Sequence, residues 1–169
     1  MSMMSRRTLI LAGGVSALAV AAGLLRLPEF GQADAAQGIF PVSHSDAEWR
    51  KLLTDSQYSV LRRQGTEAPF TSPLNNEHRS GTFACAGCEQ AAFSSATKFD
   101  SGTGWPSFWQ PLDKAVAESN DSSLLMSRTE VHCSRCGGHL GHVFNDGPKP
   151  TGLRYCMNGI AMQFAATPA

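Results

Sequence analysis

Cys133-Ser134-Arg135-Cys136-Gly137-Gly138-His139-Leu140-Gly141-His142-Val143-Phe144 joins two structural signals in a single run of sequence. Two cysteines with two residues between them, relieved by glycine, form a tight turn that aims both sulfurs at one point. The residues after Gly138 are a short apolar run with no helical period, which reads as a strand. Cys85-Ala86-Gly87-Cys88 repeats the turn upstream, with 44 residues between the two pairs. Four cysteines in two such knuckles, Cys85, Cys88, Cys133 and Cys136, fit one tetrahedral structural zinc ion (Zn2+) with no open position for water. Knuckles so far apart would tie distant hairpins together rather than fold one small finger. Two other readings of the same spacing stay open: a pair of disulfides, and a redox C-x-x-C, although no helical pattern follows either pair.

Outward from these turns the chain reads as β-rich. After Gly65, short apolar runs alternate with Gly, Pro, Ser and Asn. Strands are expected near Gly81–Ala84, Ala91–Phe93, Phe108–Trp109, Ala115–Glu118, Leu124–His132, His139–Phe144 and Arg154–Phe164. Before Gly65, Ser45-Asp46-Ala47-Glu48 and Thr54-Asp55-Ser56-Gln57 are capping boxes that open two short helices. The expected architecture is a mainly β (α+β) domain with an N-terminal helical pair.

The first 35 residues are a different kind of polymer. Arg6-Arg7 precede a weakly apolar stretch, Thr8 to Leu25, and Ala33-Asp34-Ala35 follows. This is the layout of a signal peptide (1–35) of twin-arginine type, ahead of one domain (36–169). It points to an exported, periplasmic protein, membrane-anchored if the segment stays uncleaved. The 169 residues carry 14 Lys plus Arg and 14 Asp plus Glu. Without residues 1–35, 11 basic and 12 acidic residues remain. So nearly neutral a domain carries no electrostatic footprint for nucleic acid, and the expected membrane contact is the N-terminal segment alone.

The fifth cysteine, Cys156, lies in Gly152-Leu153-Arg154-Tyr155-Cys156-Met157-Asn158-Gly159. On a strand, Arg154, Cys156 and Asn158 share one face. A thiol beside a guanidinium and an amide suits a nucleophile, and a buried structural cysteine is the competing reading. His139 and His142 would face opposite ways on a regular strand. A bulge at Gly141 would bring both to one side, as a proton-donating pair. Gly102-Thr103-Gly104-Trp105-Pro106-Ser107-Phe108 offers Trp105 either to an apolar ligand group or to the core.

From Arg62 to Phe164 these segments resemble methionine-R-sulfoxide reductases of the B type. The resemblance is carried by Gly65-Thr66-Glu67-Ala68-Pro69-Phe70, by Lys98 to Phe108, by Arg128-Thr129-Glu130-Val131, by His139 to Pro148, by Thr151 to Gly159, and by both C-x-x-C pairs in order. It implies two antiparallel sheets in a β-sandwich-like core with a four-cysteine zinc site, and reduction of the R epimer of methionine sulfoxide in proteins. It implies catalytic roles for Cys156, His139, His142 and Asn158. It places Trp105 against the sulfoxide's methyl group, with Arg154 and Asp146 lining the substrate site. Many members of that family carry a second cysteine in the Gly-Cys-Gly-Trp-Pro loop, where this chain has Thr103. The Cys156 sulfenic acid would then need an external thiol donor of thioredoxin-like kind. A monomer is the expected state. The rival readings are a non-catalytic zinc-ribbon binding module and a thiol–disulfide oxidoreductase.

Overall fold

The computed structural model describes residues 38–123 and 127–168. The expected signal segment, 1–35, and the start of the strand expected at Leu124 lie outside the described residues.

Both capping boxes form, because each needs only groups three residues apart. Ser45 accepts from Glu48 N–H and opens helix α1 (Asp46–Leu52), and Thr54 accepts from Gln57 N–H and opens α2 (Asp55–Arg63). Gln64 enters the left-handed region at φ +52° and ends α2. Among the described residues, no helix is long and apolar enough to cross a membrane.

The strands are β1 (Gly81–Cys85), β2 (Ala91–Ser94), β3 (Lys98–Phe99), β4 (Ser107–Phe108), β5 (Val116–Asp121), β6 (Arg128–Cys133), β7 (His139–Phe144), β8 (Arg154–Met157) and β9 (Met162–Ala166). They form two antiparallel sheets, ordered β2-β1-β9 and β3-β4-β8-β7-β6-β5. Aromatic rings fill the contact between them. Phe83 and Phe93 of the small sheet meet Phe108 of the large one at centroid distances of 5.0 and 4.4 Å. All three are fully buried, so they join the sheets through apolar burial, each ring contributing about 1.5–3 kcal/mol.

Two expectations change. The single strand expected over Arg154–Phe164 is two strands, β8 and β9, in different sheets, separated by a 3-10 turn at Gly159–Ala161. The turn is imposed from outside: the Glu67 carboxylate accepts from the N–H groups of Gly159 and Ile160. The bulge expected at Gly141 sits one residue earlier. Val131 pairs with Gly141 and His132 with His139, so Leu140 is the extra residue. Gly141 serves a different purpose, since a Cβ there would collide with the Cys156 carbonyl across the β7–β8 pair.

Candidate active site and metal centre

Cys156 occupies the middle of β8, flanked by Ser107 on β4 and His142 on β7. Strand alternation does the sorting. Tyr155 and Met157 are buried in the core, while Arg154 and Cys156 are half-buried on the opposite face. The thiol opens into a small cleft of about 130 Å³ lined by Thr66, Trp105, Arg128, His142, Phe144 and Asn158, among others.

The bulge at Leu140 sets the histidine pair. It brings the rings of His139 and His142 to a centroid distance of 5.3 Å on one side of the strand. They are held differently. His142 lines the cleft, with Nε2 2.8 Å from Asp121 Oδ2. Burial pushes its pKa down, against the pull of Asp121. His139 lies beneath at 1% exposure, with Nδ1 2.8 Å from Glu130 Oε1. Gln64 Nε2 and Ser119 Oγ also donate to the Glu130 carboxylate, at 3.1 and 2.6 Å. A buried carboxylate with these donors is a satisfied one.

Asn158 is a buried girder of the cleft wall. Its amide nitrogen donates to Leu140 O at 3.1 Å, the bulge carbonyl, and its amide oxygen accepts from Glu67 N–H at 3.0 Å. Glu67 in turn accepts the Trp105 indole N–H on its carbonyl at 3.1 Å. One residue therefore fixes the ring on one side of the cleft and the amide on the other. Arg154 makes a two-pronged pair with Asp146, at 2.8 and 2.9 Å, and stacks over Phe144 at 4.4 Å. Asp146 is mostly exposed, so this pair orients the guanidinium more than it stabilises the fold. Thr103 Oγ1 lies 3.8 Å from Cys156 Sγ.

The structure thus gathers Cys156, His142, Asn158 and Trp105 around one cleft, with His139 behind it and Arg154 and Asp146 on its flank. Sequence reasoning assigned no site role to Thr66, Arg128, Phe144, Asp121, Glu67 or Glu130. All but Asp121 stand inside the segments that carried the resemblance, which was the available signal. Asp121 reaches the site only through the β5–β6 pairing, opposite Arg128.

The four remaining cysteines form a separate cluster whose sulfurs all lie within 4.8 Å of one another. Cys85 and Cys136 sulfurs are 3.7 Å apart, and those of Cys88 and Cys133 3.5 Å. A tetrahedron with Zn–S bonds near 2.3 Å has sulfur–sulfur edges of roughly 3.8 Å, so the donor set fits zinc. None of the cysteines forms a disulfide. The four thiols perturb one another: Cys85 and Cys136 are pushed up, first by Cys133 beside them, while Cys88 and Cys133 are pulled down. Gly137 supplies the left-handed turn of the second knuckle at φ +67°. In the first knuckle that conformation belongs to Glu89, at φ +61°, and not to Gly87. Cys85 ends β1 and Cys133 ends β6, so the ion would join the small sheet to the large one.

One lone thiol in a histidine- and tryptophan-lined cleft, apart from a four-cysteine cluster, is an arrangement suited to thiol redox chemistry. Residues 53–166 match the SelR domain, and the chain belongs to that family. It is 55% identical over 126 residues to the peptide methionine sulfoxide reductase MsrB of Leptospira interrogans, covering 74% of this chain and 96% of that protein. Likeness of the same order extends to the proteins of that name from Agrobacterium fabrum (56% identity, 73% of this chain, 92% of that protein) and Methanosarcina barkeri (53%, 73% and 87%).

Proposed function

We propose that this protein reduces the R epimer of methionine sulfoxide in proteins, repairing oxidised chains with Cys156 as nucleophile. The observation that carries this reading is the lone Cys156 thiol in a cleft walled by Trp105 and His142, apart from the four sulfurs of the metal site. The sulfoxide's methyl group rests against the Trp105 ring, and its oxygen faces the histidine side. The Cys156 thiolate attacks the sulfoxide sulfur while His142, facing Cys156 across the β7–β8 pair, delivers a proton to the oxygen. The sulfur–oxygen bond breaks, methionine leaves, and Cys156 keeps the oxygen as a sulfenic acid. An external dithiol donor of thioredoxin-like kind then attacks that sulfur, releases water, and closes its own disulfide as it frees Cys156. Thr103 beside Cys156 supports an external donor, since a hydroxyl forms no disulfide.

The experiment offers each epimer of a methionine-sulfoxide peptide, with dithiothreitol, to wild type and Cys156→Ser. Reduction of the R epimer by wild type alone is expected. Reduction of the S epimer, or turnover by the variant, would overturn the reading. Mass spectrometry after one turnover should find Cys156 as sulfenic acid and not in an internal disulfide.

Residues 1–35 are, in the same reading, a twin-arginine export signal ahead of one domain, 36–169, that works as a monomer in the periplasm. Arg6-Arg7, the weakly apolar Thr8–Leu25 stretch and Ala33-Asp34-Ala35 support it. A metal site that must be filled before oxidation also favours export in the folded state. Cell fractionation of wild type against the Arg6→Lys, Arg7→Lys double variant tests it, and equal export of both would refute it.

A further inference from the structure

Phe70 is 73% exposed, although it is a large apolar residue. Its φ is +64°, a region that a side chain with a Cβ enters at a cost of about 1–2 kcal/mol. Its surroundings hold it there. Phe70 N–H donates to Gly104 O at 2.7 Å, and Asn75 Nδ2 donates to the same oxygen at 3.0 Å. Gly104, at φ +92°, lies so close that a Cβ on it would stand 2.8 Å from Phe70 N and 2.9 Å from its ring. The Phe70 segment and the Trp105 loop are thus clamped together with a phenyl ring facing water. Strain enforced in this way concentrates at functional sites.

The ring borders a second depression of about 150 Å³, whose apolar lining is Phe70, Phe99, Trp105 and Pro106, with Lys98 and Asp100 among its polar residues. Trp105 lines this depression and also the Cys156 cleft. The two are therefore neighbours that share one indole residue. The volume suits one side chain. An extended polypeptide turns every second side chain to the same face, about 6–7 Å apart. A chain that places a sulfoxide on the Cys156 side of Trp105 offers the side chain two positions along to the other side.

We propose that the Phe70 depression is a substrate subsite that takes an apolar side chain two positions from the methionine sulfoxide. The inference rests on the peptide sulfoxide reductase activity proposed above. It makes Phe70 a specificity-determining residue, acting on the polypeptide around the sulfoxide and not on the sulfoxide itself.

The test uses five-residue peptides with methionine-R-sulfoxide at the centre and glycine elsewhere, leucine being introduced at each flanking position in turn. N-acetyl-methionine-R-sulfoxide, which has no flanking residues, is the reference. In wild type, leucine at one of the two outer positions should raise kcat/KM about tenfold over glycine, through KM. Phe70→Gly should bring that ratio to about one. It should not lower Tm, because glycine accepts the left-handed backbone without strain. Phe70→Asp, which also tolerates this conformation, should move the preference from leucine to lysine. An unchanged leucine preference in both variants, or no preference at either outer position in wild type, overturns the subsite. A Tm loss in Phe70→Gly with the preference intact overturns it too, by making the ring structural. Failure of wild type to reduce any of the peptides would instead overturn the activity on which the subsite depends.

Discussion

Oε1 of Glu130 lies 2.8 Å from Nδ1 of His139, and both side chains are almost wholly buried. The pair bridges β6 and β7 directly behind the cleft, where His139 packs against His142. Burial alone would push the Glu130 carboxyl up. The hydrogen bonds from His139 and Ser119 outweigh it and hold the carboxyl below its usual value.

Removing this carboxylate has a large expected cost. Glu130→Ala leaves a buried imidazole and a half-buried hydroxyl without their acceptor, and should destabilise the domain by about 3–5 kcal/mol. Glu130→Gln keeps an acceptor and should lose less. Because the folded pKa is depressed, the charged Glu130 stabilises the fold above the unfolded value of 4.5, and that stability is lost as pH falls through the folded value. Urea melts between pH 3 and pH 5 should therefore slope less steeply for Glu130→Gln than for wild type.

A separate acid step comes from the imidazoles. Burial holds His142 below the ordinary imidazole value of 6.5. Between the two values the unfolded chain binds the extra proton, so stability should decrease as pH drops below about 6.5. His142→Asn should remove part of that slope. His132, held down mainly by burial as well, supplies another part. Denaturant melts between pH 5 and pH 7.5 read the difference.

The cysteine cluster should carry one zinc ion per chain, measurable by metal analysis of the purified protein. Structural zinc contributes on the order of 10 kcal/mol, comparable to the whole net stability of a domain of this size. Chelation, or Cys85→Ala, should abolish cooperative unfolding and strip activity from a cleft that holds none of the four ligands. Cys156→Ser should abolish activity while leaving Tm within a few degrees of wild type.

Gly141 makes a sharper test of the β7–β8 pairing. Added side-chain volume there meets the Cys156 backbone, which cannot swing aside as a flexible side chain would. Gly141→Ala should cost on the order of 3 kcal/mol and displace the reacting strand, so kcat should fall along with Tm.

Features settled by neighbours in the chain were legible in the sequence. The capping boxes at Ser45 and Thr54 need only groups three residues away, and both helices begin where expected. The knuckles likewise follow from two-residue spacing, and β7 has the bounds read from its apolar run. Features fixed across the fold were hidden. The break after Cys156 depends on Glu67, 92 residues from Gly159, whose carboxylate grips the turn. The polar end of β5, Asn120-Asp121, becomes strand only by pairing with Thr129 and Arg128. Strand β3 has two residues, too few to show any alternation. At the site, Cys156, the histidines and Trp105 were visible as residue types. Their supports were not, because a strand pattern does not reveal which carboxylate lies behind which imidazole.

The 3.8 Å between Thr103 Oγ1 and Cys156 Sγ has a consequence for stoichiometry. With the other four cysteine thiols gathered in one cluster, the chain has one free thiol to store an oxidising equivalent. Its electron inventory is a single pair. In a closed vessel without a donor, each chain should yield one reduced methionine and then stall. Further turnover should then require a donor that delivers the next electron pair.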